Sequence, residues 1–481
     1  MKNSDWRITM QYTIEKRNWV IISILFCVFS IVFSIVNSSP VIAIGSILFW
    51  VIISFICNEI STLYIFIIII YFISDQLSIS VGGSTFKIYF FLSIIIIILQ
   101  FYNLNNCVSS RILRSLLVWL LLGMFLNIFN GGGLIASRTF LGVVLQSLSA
   151  FAIFMLLDTG RLNLEFLEKA IFLIIKIGLL FGFVQYVIYL ATGQAIGLNP
   201  GVALGQLKIG QIPSFRFEGN SYGKLVCWGI LFFLPNITRE RSNRKEYVKW
   251  LWISLLMLII SMTRAAVYAL IVAVVFFLII SVLNKRLNRV IGFFIPVIIL
   301  LVFYVMMLNS GVITIGSYSL YKIQNFSVGH SDISSDGSAN YRYTSMMRAI
   351  EVWHTNIKNT LIGVGYAQAE GDLTSIGGVS NAQLGGCDIV TLLSSFGIIG
   401  TIMYIKLYLG TIFSAFRSLN NRSDFLEDIW VERIIYMLVY AFVLECLSGY
   451  MLCPEFWMTF GIAAFVLGNY NSTEDSYMEE Q

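Results

Sequence analysis

Basic residues at the ends of apolar segments are the most informative chemical feature of this sequence. Five of them fall at segment ends or in the adjoining loops: Lys87, Arg138, Arg216, Lys224 and Arg264. A cation among membrane segments usually pairs with a carboxylate or an anionic ligand, and arginine matches phosphate oxygens with two parallel hydrogen bonds. Together they would form a pocket for a phosphate or diphosphate group, to which Arg342 and Arg348 of a later polar segment would add.

Each of these cations also has a structural explanation. Any one of them can extend to lipid phosphates at the membrane surface, and Arg216 has Glu218 nearby as an ion-pair partner. Arg342 and Arg348 can lie on a solvated helix face. Arg264 has the least freedom, because residues 261–266 (SMTRAA) form a turn with almost no loop between two apolar segments. The sequence leaves both explanations open for the others.

A general base for transfer chemistry would come from the carboxylates on the same side of the membrane. They are Glu218, Asp332, Asp336, Glu351, Glu370, Asp372 and Asp388. The sequence does not rank them. His330 could also serve as a base, or it could be an exposed loop residue without a role. The chain has only two histidines and no cysteine pair at metal-ligand spacing, so neither a metal nor a cofactor is predicted.

Composition determines which elements can hold these residues. Hydrophobic residues make up 58% of the 481 positions and charged residues 12%, against about 45–50% and about 25% in soluble domains. We therefore predict an all-α polytopic membrane protein, one transmembrane domain over residues 1–481, with about 12–14 helices. The predicted spans lie near 19–36, 41–57, 61–74, 87–102, 115–129, 139–157, 170–191, 222–235, 249–263, 265–283, 290–308, 389–413, 433–449 and 454–469.

The distribution of Lys and Arg sets the predicted orientation. The basic loops alternate along the chain, and short basic loops favour the cytoplasm, so an even number of spans is favoured and both termini are predicted to be cytoplasmic. The five cations then lie on the outer side, where the rule disfavours them. The net charge of +5 is too small and dispersed to suggest nucleic acid.

Two long segments are predicted on the outer side. Residues 192–221 are rich in Gly and Pro and could re-enter the membrane. Residues 309–388 are too polar to span it. They contain a predicted amphipathic helix over 343–359, with one apolar stripe formed by Met346, Ile350, Trp353 and Ile357.

Four sequence segments resemble the O-antigen polymerase and ligase superfamily of bacterial envelope proteins. Residues 215–220 (FRFEGN) are similar to an arginine- and glycine-containing segment before a helix, and residues 261–266 to its Ser-x-Ser/Thr-Arg-Gly/Ala hairpin. Residues 348–353 (RAIEVW) with 361–366 (LIGVGY) resemble a long-loop segment ending in Gly-x-Gly. Residues 392–400 (LLSSFGIIG) resemble the helix after that loop.

The resemblance implies a metal-independent glycosyltransferase of the bacterial inner membrane that uses undecaprenyl-diphosphate-linked oligosaccharides. Arginines, above all Arg216 and Arg264, would neutralise the departing diphosphate. The family's ligases carry a histidine eleven residues before the glycine that matches Gly397. Here that position is Gly386, so Asp388 or Glu370 would replace it as base.

Three functions are compatible with the sequence. A polymerase of a surface polysaccharide (O-antigen or capsule) is favoured, with membrane lipids and a chain-length regulator as candidate partners. A ligase that transfers glycan to lipid A core is the alternative, disfavoured by the missing histidine. A flippase for lipid-linked oligosaccharides would need charges at mid-span, and the predicted spans are nearly free of charge at their centres.

Overall fold

The computed structural model describes most of the chain from residue 78 onward. The described residues are 33, 42, 45, 49, 78–81, 84–100, 104–130, 134–197, 200–208, 211–216, 219–239, 244–261, 263–285, 337–366, 387–419 and 425–479. Apart from the isolated positions, the predicted spans at 19–36, 41–57, 61–74 and 290–308 lie outside this part of the chain.

Every other predicted span coincides with a helix. In chain order the elements are β1 (Ser78–Val81), β2 (Ser84–Lys87), α1 (Ile88–Leu99), α2 (Leu104–Ser109), α3 (Arg111–Phe129), α4 (Leu134–Asp158), α5 (Leu164–Thr192), α6 (Pro200–Lys208), α7 (Gly219–Thr238), α8 (Arg244–Ser261), α9 (Arg264–Leu283), α10 (Gly337–His354), α11 (Ile357–Ile362), α12 (Asp388–Ser418), α13 (Phe425–Leu447) and α14 (Pro454–Glu479). Within the described ranges the sole sheet is the antiparallel hairpin β1–β2, with Ser78 opposite Lys87. The predicted all-α class is confirmed.

Five of the described helices are long and apolar enough to cross a membrane. They are α3, residues Phe140–Asp158 of α4, α5, residues Ala265–Leu283 of α9, and α12. Large apolar side chains such as Phe125 and Leu190 are more than 60% exposed, which suits contact with lipid. The prediction of a polytopic membrane protein is thereby confirmed.

The chain forms two compact units. The first comprises Met1–Leu92 and Thr159–Tyr222, and its longest described helix is α5. Asn163 caps the start of α5 by accepting a hydrogen bond from the Phe166 N–H (2.7 Å). Gly193 ends the helix in the left-handed conformation, with φ of 68°.

The second unit comprises Ser93–Asp158 and Gly223–Gln481. Here α4 and α14 pack backbone to backbone, because Gly461 has no side chain. A Cβ at Gly461 would lie 2.5 Å from the carbonyl oxygen of Ala150. The interior also buries large aromatic side chains, among them Trp119, Trp228, Trp430 and Trp457.

A buried ion cluster joins α7 to α13 in the second unit. Arg239, next after α7, contacts Glu432 Oε1 at 2.7 Å and Asp428 Oδ2 at 3.6 Å. The Arg433 Nε–H donates to the Phe232 carbonyl oxygen (3.1 Å), and its guanidinium lies 4.0 Å from the centre of the Phe232 ring. Such charges are tolerated in the interior because each one has a partner, and removing one partner is costly.

Helix α12 is interrupted at Gly397, whose φ of 63° and ψ of −166° are not helical. The chain after α11 lies against this break. The N–H of Val364 donates to the Ser394 carbonyl oxygen (3.0 Å), and the N–H of Gly365 donates to the Ser395 carbonyl oxygen (2.9 Å). The carbonyls released by the break are therefore satisfied by the long segment that precedes α12.

Two glycines make this contact possible. Gly363 has φ of 73° and Gly397 φ of 63°, in the left-handed region where side chains are strained. A Cβ at Gly363 would collide with the backbone of Ser395, and one at Gly397 would collide with the backbone of Leu361. The first glycine of the Gly-x-Gly segment and Gly397 of the following helix are thus required by the same close approach of two backbones.

We expect Gly397→Ala to destabilise the protein strongly. The left-handed conformation alone costs a residue with Cβ about 1–2 kcal/mol, and the collision with Leu361 adds to it. The matched control is Gly142→Ala in α4, where a Cβ would meet nothing within 4 Å. Thermal unfolding of the purified protein, followed by tryptophan fluorescence, should show a lowered Tm for Gly397→Ala only. Equal Tm values for both variants would contradict the close packing.

Candidate active site

Asp388, the first residue of α12, holds the turn that joins α13 to α14. Its Oδ2 accepts hydrogen bonds from the backbone N–H groups of Tyr450 (2.5 Å) and Met451 (2.7 Å), and its own N–H donates to the carbonyl oxygen of Ser448 (3.2 Å). The residue is half-buried. Its second oxygen, Oδ1, makes no hydrogen bond to any residue that the structure describes. One carboxylate oxygen is therefore fixed and the other is available.

Lys224 of α7 also binds the turn between α13 and α14. It is 7% exposed, and its Nζ donates to the carbonyl oxygen of Gly449. The ammonium also attracts the Asp388 carboxylate. The hydroxyl of Tyr440 donates to the Lys224 carbonyl oxygen (3.3 Å), which fixes the start of the side chain. Lys224 and Asp388 thus bind the same turn, close enough for the ammonium to attract the carboxylate.

Gly449 leaves space beside the available oxygen of Asp388. A Cβ at this position would lie 3.2 Å from Asp388 Oδ1, so a side chain would crowd that atom. The turn is held further by the Trp457 Nε1–H, which donates to the Met451 carbonyl oxygen (2.8 Å). The carboxylate is consequently held in a rigid frame, and its Oδ1 lies beside the position where Gly449 has no side chain.

The turn before α9 lies next to Lys224. A Cβ at Gly223 would collide with the side chain of Thr263. The Thr263 hydroxyl is buried and has no hydrogen-bond partner within the described ranges. Arg264 follows as the first residue of α9. Thr263 therefore packs against the start of α7 at Gly223, the residue before Lys224.

Aromatic rings connect the long segment to α12. Tyr366 stacks with Phe396 (centroids 5.9 Å apart) and lies 5.5 Å from the Phe140 ring. The Tyr366 N–H donates to Asn127 Oδ1 (2.8 Å). The two sequence segments at 361–366 and 392–400 therefore pack against each other directly.

The thiol next to Asp388 is a poor nucleophile. Cys387 is buried, and burial raises the pKa of its thiol to about 11. Because the thiolate is the nucleophilic form, this cysteine stays neutral at physiological pH. The neighbouring carboxylate of Asp388, unlike this thiol, can accept a proton.

Arg216 belongs to the first unit and is completely buried. The segment before it packs on α5: Ser214 Oγ donates to the Gly178 carbonyl oxygen (2.7 Å), and the Phe215 ring stacks on Phe181 at 4.2 Å. The Arg216 N–H donates to the Pro213 carbonyl oxygen (2.8 Å). The part of the predicted 192–221 loop that carries Arg216 is therefore interior. Lys87, also in this unit, is half-buried with Nζ 5.9 Å from the Tyr89 ring.

The other predicted site residues are only partly described. Arg348 is half-buried on α10. Arg138, Arg264 and Arg342 lie in α4, α9 and α10, but their side chains fall outside the described part, as does all of Glu370. The long segment forms two helices, α10 and α11. Ile357, placed by the sequence on the buried stripe, starts the second helix and is 80% exposed.

A buried carboxyl group close to Asp388 was missed by the sequence reasoning. Glu445 is completely buried near the end of α13, and its Oε1 accepts a hydrogen bond from the Tyr404 hydroxyl (2.7 Å). It is close enough to Asp388 for the two carboxyls to interact. The signal was present, because a single acidic residue within an apolar segment is a functional candidate by default.

The fold and the site define a polytopic membrane protein. Its candidate site has a carboxylate at the start of α12, the helix after the long polar segment, and a lysine from α7 that binds the same turn.

Residues 250–405, about a third of the chain, match the model of a protein family described as O-antigen ligase. The match includes the segments at 261–266, 348–366 and 392–400. It supports the O-antigen ligase and polymerase superfamily, so the resemblance seen in the sequence is confirmed. The family supports an O-antigen ligase or polymerase type of function in general, that is, glycosyltransferase-like activity on lipid-linked polysaccharides. No curated protein matches the chain.

We expect Asp388→Asn to abolish glycan transfer while the protein still inserts and remains folded. An asparagine side-chain oxygen can accept the same two N–H groups from Tyr450 and Met451, but an amide cannot accept the proton of an acceptor hydroxyl. Transfer activity and Tm are measured on the same preparation. A variant that keeps full activity would show that Asp388 is only a structural clamp for the turn.

Proposed function

We propose that this protein is the polymerase of a surface polysaccharide, O-antigen or capsule. It transfers the growing glycan from undecaprenyl diphosphate to the next lipid-linked repeat unit at the outer face of the bacterial inner membrane. Asp388 carries the proposal. The sequence has Gly386 where the family's ligases carry a histidine, and Asp388, two residues later, offers a carboxylate with one fixed and one available oxygen.

The proposed reaction is a direct displacement. The acceptor hydroxyl of the incoming unit attacks the anomeric carbon of the donor glycan, and the bond from that carbon to the diphosphate oxygen breaks. Asp388 Oδ1 takes the hydroxyl proton, and undecaprenyl diphosphate leaves with the electron pair. No metal takes part in the proposed reaction.

Lys224 is proposed to position Asp388, in addition to its proposed role as one of the cations that bind the diphosphate. Its ammonium donates a hydrogen bond to the Gly449 carbonyl oxygen and attracts the Asp388 carboxylate, so it helps to hold the turn and the carboxylate in place. The departing diphosphate is assigned to the arginines, in particular Arg216 and Arg264. A guanidinium stabilises the charge that develops on the leaving group as the bond breaks.

The ligase is the second candidate. It would use the same donor and the same leaving group, with lipid A core as acceptor. A base is needed in both cases, and Asp388 could replace the ligase histidine. The two functions therefore differ in the acceptor, which an assay can vary directly. The flippase is disfavoured because Asp388 and Lys224 lie at helix ends, and transport requires charges at mid-span.

We expect the purified protein to convert a lipid-diphosphate-linked repeat unit into a ladder of products without any added acceptor. Each product differs from the next by one repeat unit, because the substrate is both donor and acceptor. The products are separated on a gel. Transfer only after lipid A core is added would make the protein a ligase, and no transfer in either assay would overturn the glycosyltransferase assignment.

We expect Arg216→Ala and Arg264→Ala each to lower polymer formation by at least about a hundredfold, the typical effect of removing one donor to a developing charge. The matched control is Arg161→Ala, which removes an exposed cation in the turn between α4 and α5. Ladder formation is compared at equal amounts of inserted protein. Full activity in both arginine variants would exclude the diphosphate pocket.

A further inference from the structure

A basic groove lies between the start of α3 and the second half of α12. Its volume is about 480 Å³, and it is lined by two cations from each helix: Arg111, Arg114, Lys406 and Arg417. All four side chains are exposed. Among the described residues that line the groove there is no carboxylate. Like charges that line the same groove repel each other, so an anion bound among them would lower the electrostatic energy.

The helical spacing directs these cations into one groove. On α3, Arg111 and Arg114 are three positions apart and share a face. On α12, Lys406 and Arg417 belong to the same lining as Gly410, which leaves open space between them because a Cβ at Gly410 would meet nothing within 4 Å. The groove is therefore both charged and accessible.

The groove continues into an apolar surface. Val118 and Phe413, which also line it, are 47% and 62% exposed. Beyond Val118, the outward face of α3 carries Leu121, Phe125 and Ile128, each more than half exposed. A soluble anion would contact only the cations and not this apolar surface. An anionic lipid would contact both, because its headgroup matches the cations and its acyl chains match the apolar face of α3.

The groove lies at the opposite end of α12 from Asp388. About 20 helical residues separate Asp388 from Gly410, which corresponds to about 30 Å and to the thickness of the bilayer core. The basic loops place this end on the predicted cytoplasmic side, whose leaflet carries a negative surface charge.

We infer that the basic groove binds the headgroup of an anionic glycerophospholipid of the cytoplasmic leaflet. The phosphodiester lies among Arg111, Arg114, Lys406 and Arg417, and the acyl chains follow the apolar face of α3. This is a lipid site separate from the proposed catalytic end of α12, so it does not depend on which glycan reaction the protein performs.

The test measures lipid binding to the full chain in detergent by native mass spectrometry. Phosphatidylglycerol is the probe, phosphatidylcholine is the zwitterionic control, and undecaprenyl diphosphate and inorganic phosphate are competitors. The variant Arg114→Gln/Lys406→Gln removes one cation from each helix. The control Arg244→Gln/Lys245→Gln removes two exposed cations of α8 on the same predicted side. The variant Arg114→Lys/Lys406→Arg keeps the charge.

We expect phosphatidylglycerol to bind the native chain in preference to phosphatidylcholine. Binding should weaken about thirtyfold in Arg114→Gln/Lys406→Gln, because each of the two cations removed contributes roughly fivefold to the affinity. Binding should be unchanged in the charge-retaining variant and in the α8 control. Equal lipid binding by all variants would overturn the inference, as would displacement by inorganic phosphate or a preference for undecaprenyl diphosphate. An unchanged Tm shows that the variant Arg114→Gln/Lys406→Gln is folded.

Discussion

Gly363 and Gly397 approach so closely that neither position has room for a side chain. This contact holds the end of the long polar segment in the break of α12, and the hydrogen bonds of Val364 and Gly365 complete it. Tyr366 is then placed against Phe396 and Phe140. The part of α12 before the break, residues 388–396, takes its direction from this contact. That direction determines where Asp388 lies against the turn between α13 and α14. The geometry of the candidate site therefore depends on two backbone positions that carry no functional group.

Two groups of charged side chains in the second unit combine cations with carboxylates. Asp388 and Lys224 stabilise one turn together, and Arg239 contacts Glu432 and Asp428 at the other end of α7. An isolated charge in such surroundings would be far too costly, whereas a paired one is tolerated. The first group holds the turn between α13 and α14, and the second joins the end of α7 to α13. Buried charge in this unit thus stabilises a turn in one place and a contact between helices in the other.

Much of the fold was predictable because the apolar segments of a membrane protein have to be helices. The helices at 139–157 and 389–413, for example, were predicted from hydropathy alone. The candidate site was predicted in part. Asp388 and Lys224 were both named as candidate site residues, but nothing in the sequence indicated that both side chains lie against Gly449. That contact depends on how α7, α12 and α13 pack. Glu445 was overlooked among apolar neighbours, and Ile357 was misplaced because a helical stripe was extended past the end of α10 at His354.

The break at Gly397 also bears on hydrogen exchange in the long segment. In an unbroken helix the carbonyl oxygens of Ser394 and Ser395 would accept from N–H groups of α12 itself, whereas here they accept from Val364 and Gly365. These two amides can exchange with solvent only when the long segment separates from α12. Their exchange rates would therefore report how often this contact opens.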